Sequence, residues 1–110
     1  MTGPAPFACN MNALSREERS RHSELGEVLR SALMAVHELE HGYEFEFPPM
    51  PANYRALAEL TLLEHACCPF FDIAIVLRQH DRLIWQLTGS EGVKQFIRQE
   101  FEPWFAGRSA

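Results

Sequence analysis

Two adjacent cysteines, Cys67 and Cys68, follow an acidic residue, Glu64, within the segment Glu-His-Ala-Cys-Cys-Pro-Phe. Thiolates favour zinc, copper(I) and other soft ions, so two neighbouring thiols can chelate one metal or metalloid ion, or they can join in a disulfide. On a helix, Glu64 would share a face with the sulfurs three and four positions later. The segment therefore indicates a soft-metal site. The alternative is that both cysteines are small apolar core residues.

A helix must carry these side chains. Apolar residues at three-and-four spacing predict one buried stripe that also includes Glu64. The stripe consists of Leu57, Leu60, Thr61, Cys67 and Cys68. A carboxylate on a buried face is costly unless it is paired or hydrogen-bonded, so Glu64 should have a partner.

The end of this helix is set by Pro69, which disfavours helical geometry at Cys68. We therefore predict a helix that begins near Pro51 and ends near Cys67. The negative end of the helix dipole raises a cysteine pKa unless a cation lowers it, which favours a metal ligand over a free nucleophile.

The third cysteine, Cys9, lies in residues 7–11, which we interpret as a short edge strand. If this strand packs beside the other two cysteines, three thiolates converge. Three thiolates suit trigonal coordination of mercury(II) or arsenic(III), or a zinc ion with Glu64 or His65 as fourth ligand.

Composition limits the classes of function. A chain of 110 residues predicts a single α+β domain over residues 7–110, preceded by a mobile proline-rich tail over residues 1–6. No stretch approaches the length of a membrane span and no secretion signal is present, which favours a cytoplasmic protein with reduced cysteines. The net charge of −5 argues against nucleic-acid or anionic-membrane partners.

A capping-box spacing, Ser15 to Glu18, predicts a long helix that extends to about Glu40 and is closed by Gly42. Its inward stripe is Leu25, Val28, Leu29, Ala32, Leu33, Val36 and Leu39. His37 and His41 would lie one turn apart on this helix as a possible metal pair, although such histidines more often face water near the helix end.

Alternating aromatic and acidic residues over 43–47 predict a strand with one buried and one solvated face, and the prolines that follow set the start of the next helix. Beyond the cysteines, two strands should pair Leu77 with Leu83 and Ile75 with Trp85. This register requires a three-residue loop around His80, which is therefore a turn residue.

Ser90 is the predicted N-cap of a last helix with Val93, Phe96, Ile97 and Phe101 inward. The aromatic pair Trp104 and Phe105 should then either cover the sheet or join a second subunit in a homodimer. The complete prediction is three helices on a small, mostly antiparallel sheet, in the order β-α-β-α-β-β-α.

With these residues in place, the chain resembles a family of small, largely uncharacterised bacterial proteins that carry Glu-x-x-Cys-Cys-Pro-Phe, a hairpin and Gly-x-x-Gly-Val-Lys. The two motifs are residues 64–70 and 89–94 here, and the resemblance extends over residues 9–101. It implies a heavy-metal resistance context, especially mercury or arsenic, and no established catalytic activity. The position after the glutamate is often basic in such proteins, and here it is His65.

The sequence therefore predicts a soft metal or metalloid binding protein with Cys67, Cys68, Cys9, Glu64 and His65 as ligands. One alternative is a thiol-disulfide redox protein, or an enzyme acting on a small electrophile. Against this alternative, the sequence lacks the Cys-x-x-Cys spacing of dithiol oxidoreductases and a clear nucleophile-base pair. Another alternative is a non-catalytic module that binds a protein partner.

Overall fold

The computed structural model describes residues 7–106, so the predicted tail over residues 1–6 lies outside the described part of the chain. The elements are a 3-10 turn at Met11–Ala13, α1 (Arg16–Ala32), β1 (Ala35–Leu39), β2 (Gly42–Phe47), α2 (Pro51–Cys67), β3 (Asp72–Arg78), β4 (Arg82–Thr88), α3 (Val93–Glu100) and α4 (Glu102–Phe105). The strands form one antiparallel sheet in the order β1-β2-β4-β3. The α+β class is confirmed, but the predicted element order is wrong because a helix comes first and an additional strand follows it.

The helix α1 begins with the predicted capping box. The Ser15 hydroxyl accepts a hydrogen bond from the Glu18 N–H at 3.1 Å, and the Glu18 carboxylate accepts one from the Ser15 N–H at 2.8 Å. Leu25 and Leu29 are buried as expected. Val28 is 52% exposed, so its predicted inward position is wrong.

The predicted extension of α1 to Glu40 is also wrong, because the helix ends at Ala32. Leu33 takes an extended ψ of 127°, and the Met34 N–H donates to the carbonyl oxygen of Glu46 at 2.8 Å. The chain thus leaves the helix in order to pair with β2.

The hairpin of β1 and β2 replaces the second half of the predicted helix. Val36 pairs with Phe45, and a two-residue turn that contains His41 leads to Gly42. Gly42 is therefore the first residue of β2, not a helix cap. A Cβ there would collide with the carbonyl oxygen of Leu87 on β4, which explains why glycine is required.

The hairpin of β3 and β4 has the predicted register, with Ile75 opposite Trp85 and Leu77 opposite Leu83. The loop is residues 79–81, and His80 lies in it with a positive φ of 66°. Both the three-residue loop and the assignment of His80 as a turn residue are confirmed.

The helices cover one face of the sheet. On that face Trp85 is fully buried, and its indole N–H donates to the Thr61 hydroxyl of α2 at 2.9 Å. Trp104 and Phe105 are both buried, and their rings lie 5.4 and 5.7 Å from the Phe45 ring. The C-terminal aromatic pair thus covers the sheet of its own chain, the first of the two predicted alternatives. The homodimer stays a prediction.

The opposite face of the sheet carries the acidic residues of β2. Glu44 accepts two hydrogen bonds from Arg78, and Glu46 accepts two from Arg82 and one from His37. These arginine hydrogen bonds hold the pKa of both carboxyls below the usual range. Glu44 is only 5% exposed, so this face is less solvated than the alternating pattern predicts. Since His37 is a strand residue bound to Glu46, the predicted helical pair of histidines is wrong.

The helix α3 begins at Val93 after Gly92, which has a φ of 93°. Ser90 does not cap it with its side chain, so that prediction is wrong. Its carbonyl oxygen instead accepts the N–H of Val93 at 3.0 Å. Val93, Ile97 and Phe101 are buried as predicted. Within residues 7–106, none of the helices has the length and apolar character needed to cross a membrane.

Candidate metal and redox site

The last turn of α2 positions two of the three sulfurs. The helix runs from Pro51 to Cys67 as predicted, and Cys68 leaves it with φ −130° and ψ 68° because Pro69 follows. The Cys68 N–H still donates to the carbonyl oxygen of Glu64 at 2.6 Å. Glu64, Cys67 and Cys68 therefore share one turn of backbone.

The N-terminal segment brings the third sulfur to the same place. The segment is not a strand, so that prediction is wrong. The Asn10 side chain accepts a hydrogen bond from the Asn12 N–H at 3.1 Å, a local turn that competes with strand pairing. The Asn10 N–H donates to the carbonyl oxygen of Cys67 at 2.8 Å, which holds Cys9 beside Cys68.

The three sulfurs converge, which is the condition on which the predicted shared site depends. Cys9 and Cys68 form a disulfide, whereas Cys67 is a free, buried thiol with its Sγ 3.6 Å from that of Cys68. One carboxylate oxygen of Glu64 and the three sulfurs all lie within 4.8 Å of one another. These four side chains form a group that could hold a metal ion, although the expectation that all three cysteines are reduced is wrong for this structure.

The carboxylate of Glu64 is buried, as the apolar stripe of α2 predicts. It is 4% exposed, and its Oε1 is 2.8 Å from Nε2 of His22 on α1. This hydrogen bond is the main reason why the pKa of His22 is raised. Within the described part of the chain, the other oxygen, Oε2, has no hydrogen-bond partner. A buried polar group left unsatisfied costs about 1–3 kcal/mol.

The Cys67 thiol is held in its neutral form. Burial, and then the negative charge of Glu64, raise its pKa to about 11. A free thiol of this kind is a weak nucleophile at neutral pH. A bound cation would oppose both effects, because its positive charge stabilises the thiolate and offsets the negative charge of Glu64.

Two histidines differ from expectation. His65 is exposed and does not belong to the group of converging ligand atoms. His22 was not among the predicted site residues. It precedes Leu25 by three positions and Leu29 by seven, so the spacing of the buried stripe of α1 already places it on the inward face.

A cavity of about 190 Å³ opens beside the Glu64 carboxylate, between α1, α2 and the junction of α3 and α4. Its walls include His22, Gly26, Glu64, Phe101 and Trp104. The hydrogen-bonded pair of Glu64 and His22 therefore borders a space large enough for several water molecules.

Fold and site together define a small α+β protein with three sulfurs and one carboxylate gathered in its interior. In comparisons with known proteins, the chain matches no protein-family model, no curated protein and no solved structure.

Proposed function

We propose that the reduced protein binds one soft metal or metalloid ion through the sulfurs of Cys9, Cys67 and Cys68, with Glu64 as a further ligand. The observation that carries this proposal is the convergence of these four ligand atoms within 4.8 Å. Adjacent cysteines in an apolar core need not bring a third sulfur and a buried carboxylate with them.

The spacing of the sulfurs suits a thiophilic ion. With Zn–S bonds of about 2.3 Å, two thiolates of a tetrahedral site lie about 3.8 Å apart. The sulfurs of Cys67 and Cys68 are already 3.6 Å apart. Reduction of the disulfide allows the Cys9 sulfur to move away from Cys68 to a similar distance.

Two forms of the site differ in whether they use the Glu64 carboxylate as a ligand. Zinc prefers four ligands, and the fourth would be the Glu64 carboxylate, whose Oε2 has no hydrogen-bond partner within the described residues. Mercury(II) or arsenic(III) would need only the three thiolates. Since His65 is exposed, neither form needs its imidazole.

The resemblance of the Glu-x-x-Cys-Cys-Pro-Phe segment extends the proposal to heavy-metal resistance or sensing in a bacterial cytoplasm. In such a compartment the thiols are kept reduced, which is the state that binds the ion. A homodimer that involves the C-terminal segment is compatible with this role and is not required by it.

The test is ion binding by the fully reduced protein. Native mass spectrometry of the protein with zinc, mercury(II) or arsenite should show one ion bound per chain, together with the release of protons that thiolate ligation requires. The double variant Cys67→Ser, Cys68→Ser should lose this binding, and Cys9→Ser should weaken it. His65→Ala is the matched control and should bind like the wild type. Equal affinity in the double variant would refute the proposal.

A second candidate function rests on the disulfide between Cys9 and Cys68. A protein that cycles between this bond and two thiols is a redox protein that needs no metal. Thiol titration in the presence of a chelator distinguishes the two. Loss of two thiols on mild oxidation, fully restored by a dithiol reductant, supports redox cycling. A protein that cannot re-form the bond does not cycle.

A further inference from the structure

The strand β3 lies at one edge of the sheet within residues 7–106, because the strand order is β1-β2-β4-β3. On the outer side of an edge strand, backbone N–H and C=O groups have no neighbouring strand to bond. Every residue of β3, from Asp72 to Arg78, is at least partly exposed. In the adjacent strand β4, four of the seven residues are buried. The strand β3 is therefore accessible along its whole length.

The two edges of the sheet differ in their side chains. The strand β1 has five residues and includes His37 and Glu38, and Glu38 accepts a hydrogen bond from Lys94 of α3 at 2.6 Å. Polar and charged residues of this kind are a common protection of an edge against other strands. In β3, by contrast, residues 73–77 are five consecutive apolar residues, and Leu77 is 66% exposed. Only the β3 edge thus has an apolar surface suited to a further strand.

We propose that β3 is a dimerisation edge, at which the β3 strand of a second copy of this chain pairs antiparallel and joins the two four-stranded sheets into one. A two-fold interface uses the same surface on both chains, so the strand must be complementary to itself. The inference does not depend on metal binding. It also uses a different surface from the C-terminal aromatic pair, which packs on β2, two strands away from β3.

The sequence of β3 is complementary to itself in one antiparallel register. When the two-fold axis passes between the two copies of Ile75, Asp72 of each chain lies opposite Arg78 of the other. Ile73 then lies opposite Leu77. Opposite charges face each other at both ends of the paired strands, and apolar side chains face each other between them. Cross-strand pairs of both kinds stabilise a sheet.

Other registers lose this match. A shift of one strand by two residues would place Arg78 opposite Ala74, or Asp72 opposite Val76, and both charge pairs would be lost. A shift by one residue would place side chains of the helix-covered face beside side chains of the opposite face. The charges at the two ends of β3 therefore specify a single register, which is what a pairing with a second copy requires.

The charged pair also lies on an accessible face. Arg78 reaches Glu44 on the face of the sheet that the helices do not cover, and its Nη1 and Nη2 donate to that carboxylate at 3.0 and 2.6 Å. The guanidinium has further N–H donors for a second carboxylate. Asp72 is exposed and lies an even number of positions from Arg78, so the two residues share this face. Asp72 of the second copy can thus approach Arg78 without displacing Glu44.

The first experiment is sedimentation equilibrium with a chelator present, at protein concentrations from micromolar to submillimolar. The mass should rise towards twice the 12.6 kDa of one chain. The variant Leu77→Lys places a charge in the apolar part of the interface and should remain at 12.6 kDa, and its far-ultraviolet circular dichroism should match the wild type because the side chain is exposed in the single chain. The matched control is Val28→Lys, an equal change at a 52% exposed residue of α1, which should dimerise like the wild type.

The second experiment tests the register. In Asp72→Lys, like charges lie opposite each other at both ends of the paired strands, and the dissociation constant of the dimer should rise about tenfold or more. Asp72→Asn removes the attraction without adding repulsion and should have an intermediate value. The control for net charge is Glu27→Lys on α1, which should leave the dissociation constant unchanged. Should Leu77→Lys fail to fold, Asp72→Lys decides the outcome, since residue 72 is exposed.

Hydrogen exchange locates the interface. Backbone amides of β3 should exchange more slowly at high protein concentration than after dilution, whereas those of β1 should not change. A mass of 12.6 kDa at every concentration would overturn the inference, and so would assemblies of more than two chains. A dimer that persists in both Leu77→Lys and Asp72→Lys would mean that another surface is used. A single chain with protected β3 amides would mean that a segment of the same chain covers this edge, which also refutes the proposal.

Discussion

Replacement of Glu64 by methionine should make the oxidised, metal-free protein more stable. The side chain is 4% exposed, one carboxylate oxygen bonds His22, and within the described residues the other has no partner. Methionine has a similar length, no polar atoms to satisfy and a flexible chain that suits irregular gaps. A buried carboxylate that lowers stability at this position supports a role for Glu64 in binding.

The size of the effect follows from three contributions. Removal of the unsatisfied oxygen is worth about 1–3 kcal/mol, and burial of the apolar methionine side chain about 1.5–3 kcal/mol. Loss of the charged hydrogen bond to His22 costs about 1.5–3 kcal/mol. Water lowers this last cost, because the His22 side chain is 22% exposed. The contributions sum to between about −0.5 and about 4.5 kcal/mol, so the free energy of unfolding should rise by about 2 kcal/mol.

Urea unfolding, followed by the fluorescence of the buried Trp85 and Trp104, measures this change. With a slope of about 2 kcal/mol per molar urea, the midpoint should rise by about 1 M. The control is His22→Ala, which leaves the Glu64 carboxylate without its partner and should lower the free energy of unfolding by about 1–3 kcal/mol. In the Glu64→Met background the same histidine substitution should have almost no effect.

A lower midpoint in Glu64→Met would refute this reasoning, since it would mean that the carboxylate is a structural group. The same variant gives a second readout in the reduced state. If Glu64 is a ligand, the affinity for zinc should fall by about tenfold or more, which is typical even of residues one step removed from a metal. A protein that is more stable and binds more weakly is the expected outcome.

The remaining predictions concern the scaffold. Gly26→Ala should raise the free energy of unfolding by about 0.5–1 kcal/mol, because glycine is unfavourable within α1 and no atom lies within 4 Å of the added Cβ. Gly42→Ala should lower it by more than about 1 kcal/mol, because the added Cβ meets the Leu87 carbonyl oxygen, and equal urea midpoints for the two variants would contradict the packing. Arg78 lowers the pKa of Glu44 in the folded state, so this ion pair stabilises the protein at neutral pH and its contribution is lost as the pH falls below about 4. In Arg78→Met the urea midpoint should therefore fall less between about pH 7 and about pH 3 than it does in the wild type. The same pH profile in both proteins would refute the stabilising role of this ion pair.

Rules that use only neighbouring residues were sufficient to predict the part of the site at the last turn of α2. The effect of Pro69 on the preceding backbone ends α2 where expected, and the spacing from Glu64 to the cysteines places the carboxylate and two sulfurs together. Partner choice is not local. Three cysteines allow three disulfides, and His22 is 42 positions from Glu64, so neither the bond to Cys9 nor the hydrogen bond follows from spacing.

The error at β1 has a similar origin. Val36 and Leu39 continue the apolar stripe of α1, and a segment of five residues fits a helical period nearly as well as a strand period. Pairing with β2 decides between them, since Val36 then lies opposite Phe45. Such a contact enters only when the whole sheet is considered. By contrast, the register of β3 and β4 depends on one short loop. Pairing the inward residues of the two strands requires an odd number of loop residues, and this requirement was enough to predict the register.

The disulfide between Cys9 and Cys68 spans 59 positions of sequence. In the chain-entropy treatment, closing a loop of this length raises the free energy of the unfolded chain by about 4 kcal/mol. An ion ligated by the same two residues would close the same loop, so it can replace the covalent cross-link when the disulfide is reduced. Only the reduced, ion-free chain lacks both closures, and that form should be the one most readily degraded by proteases.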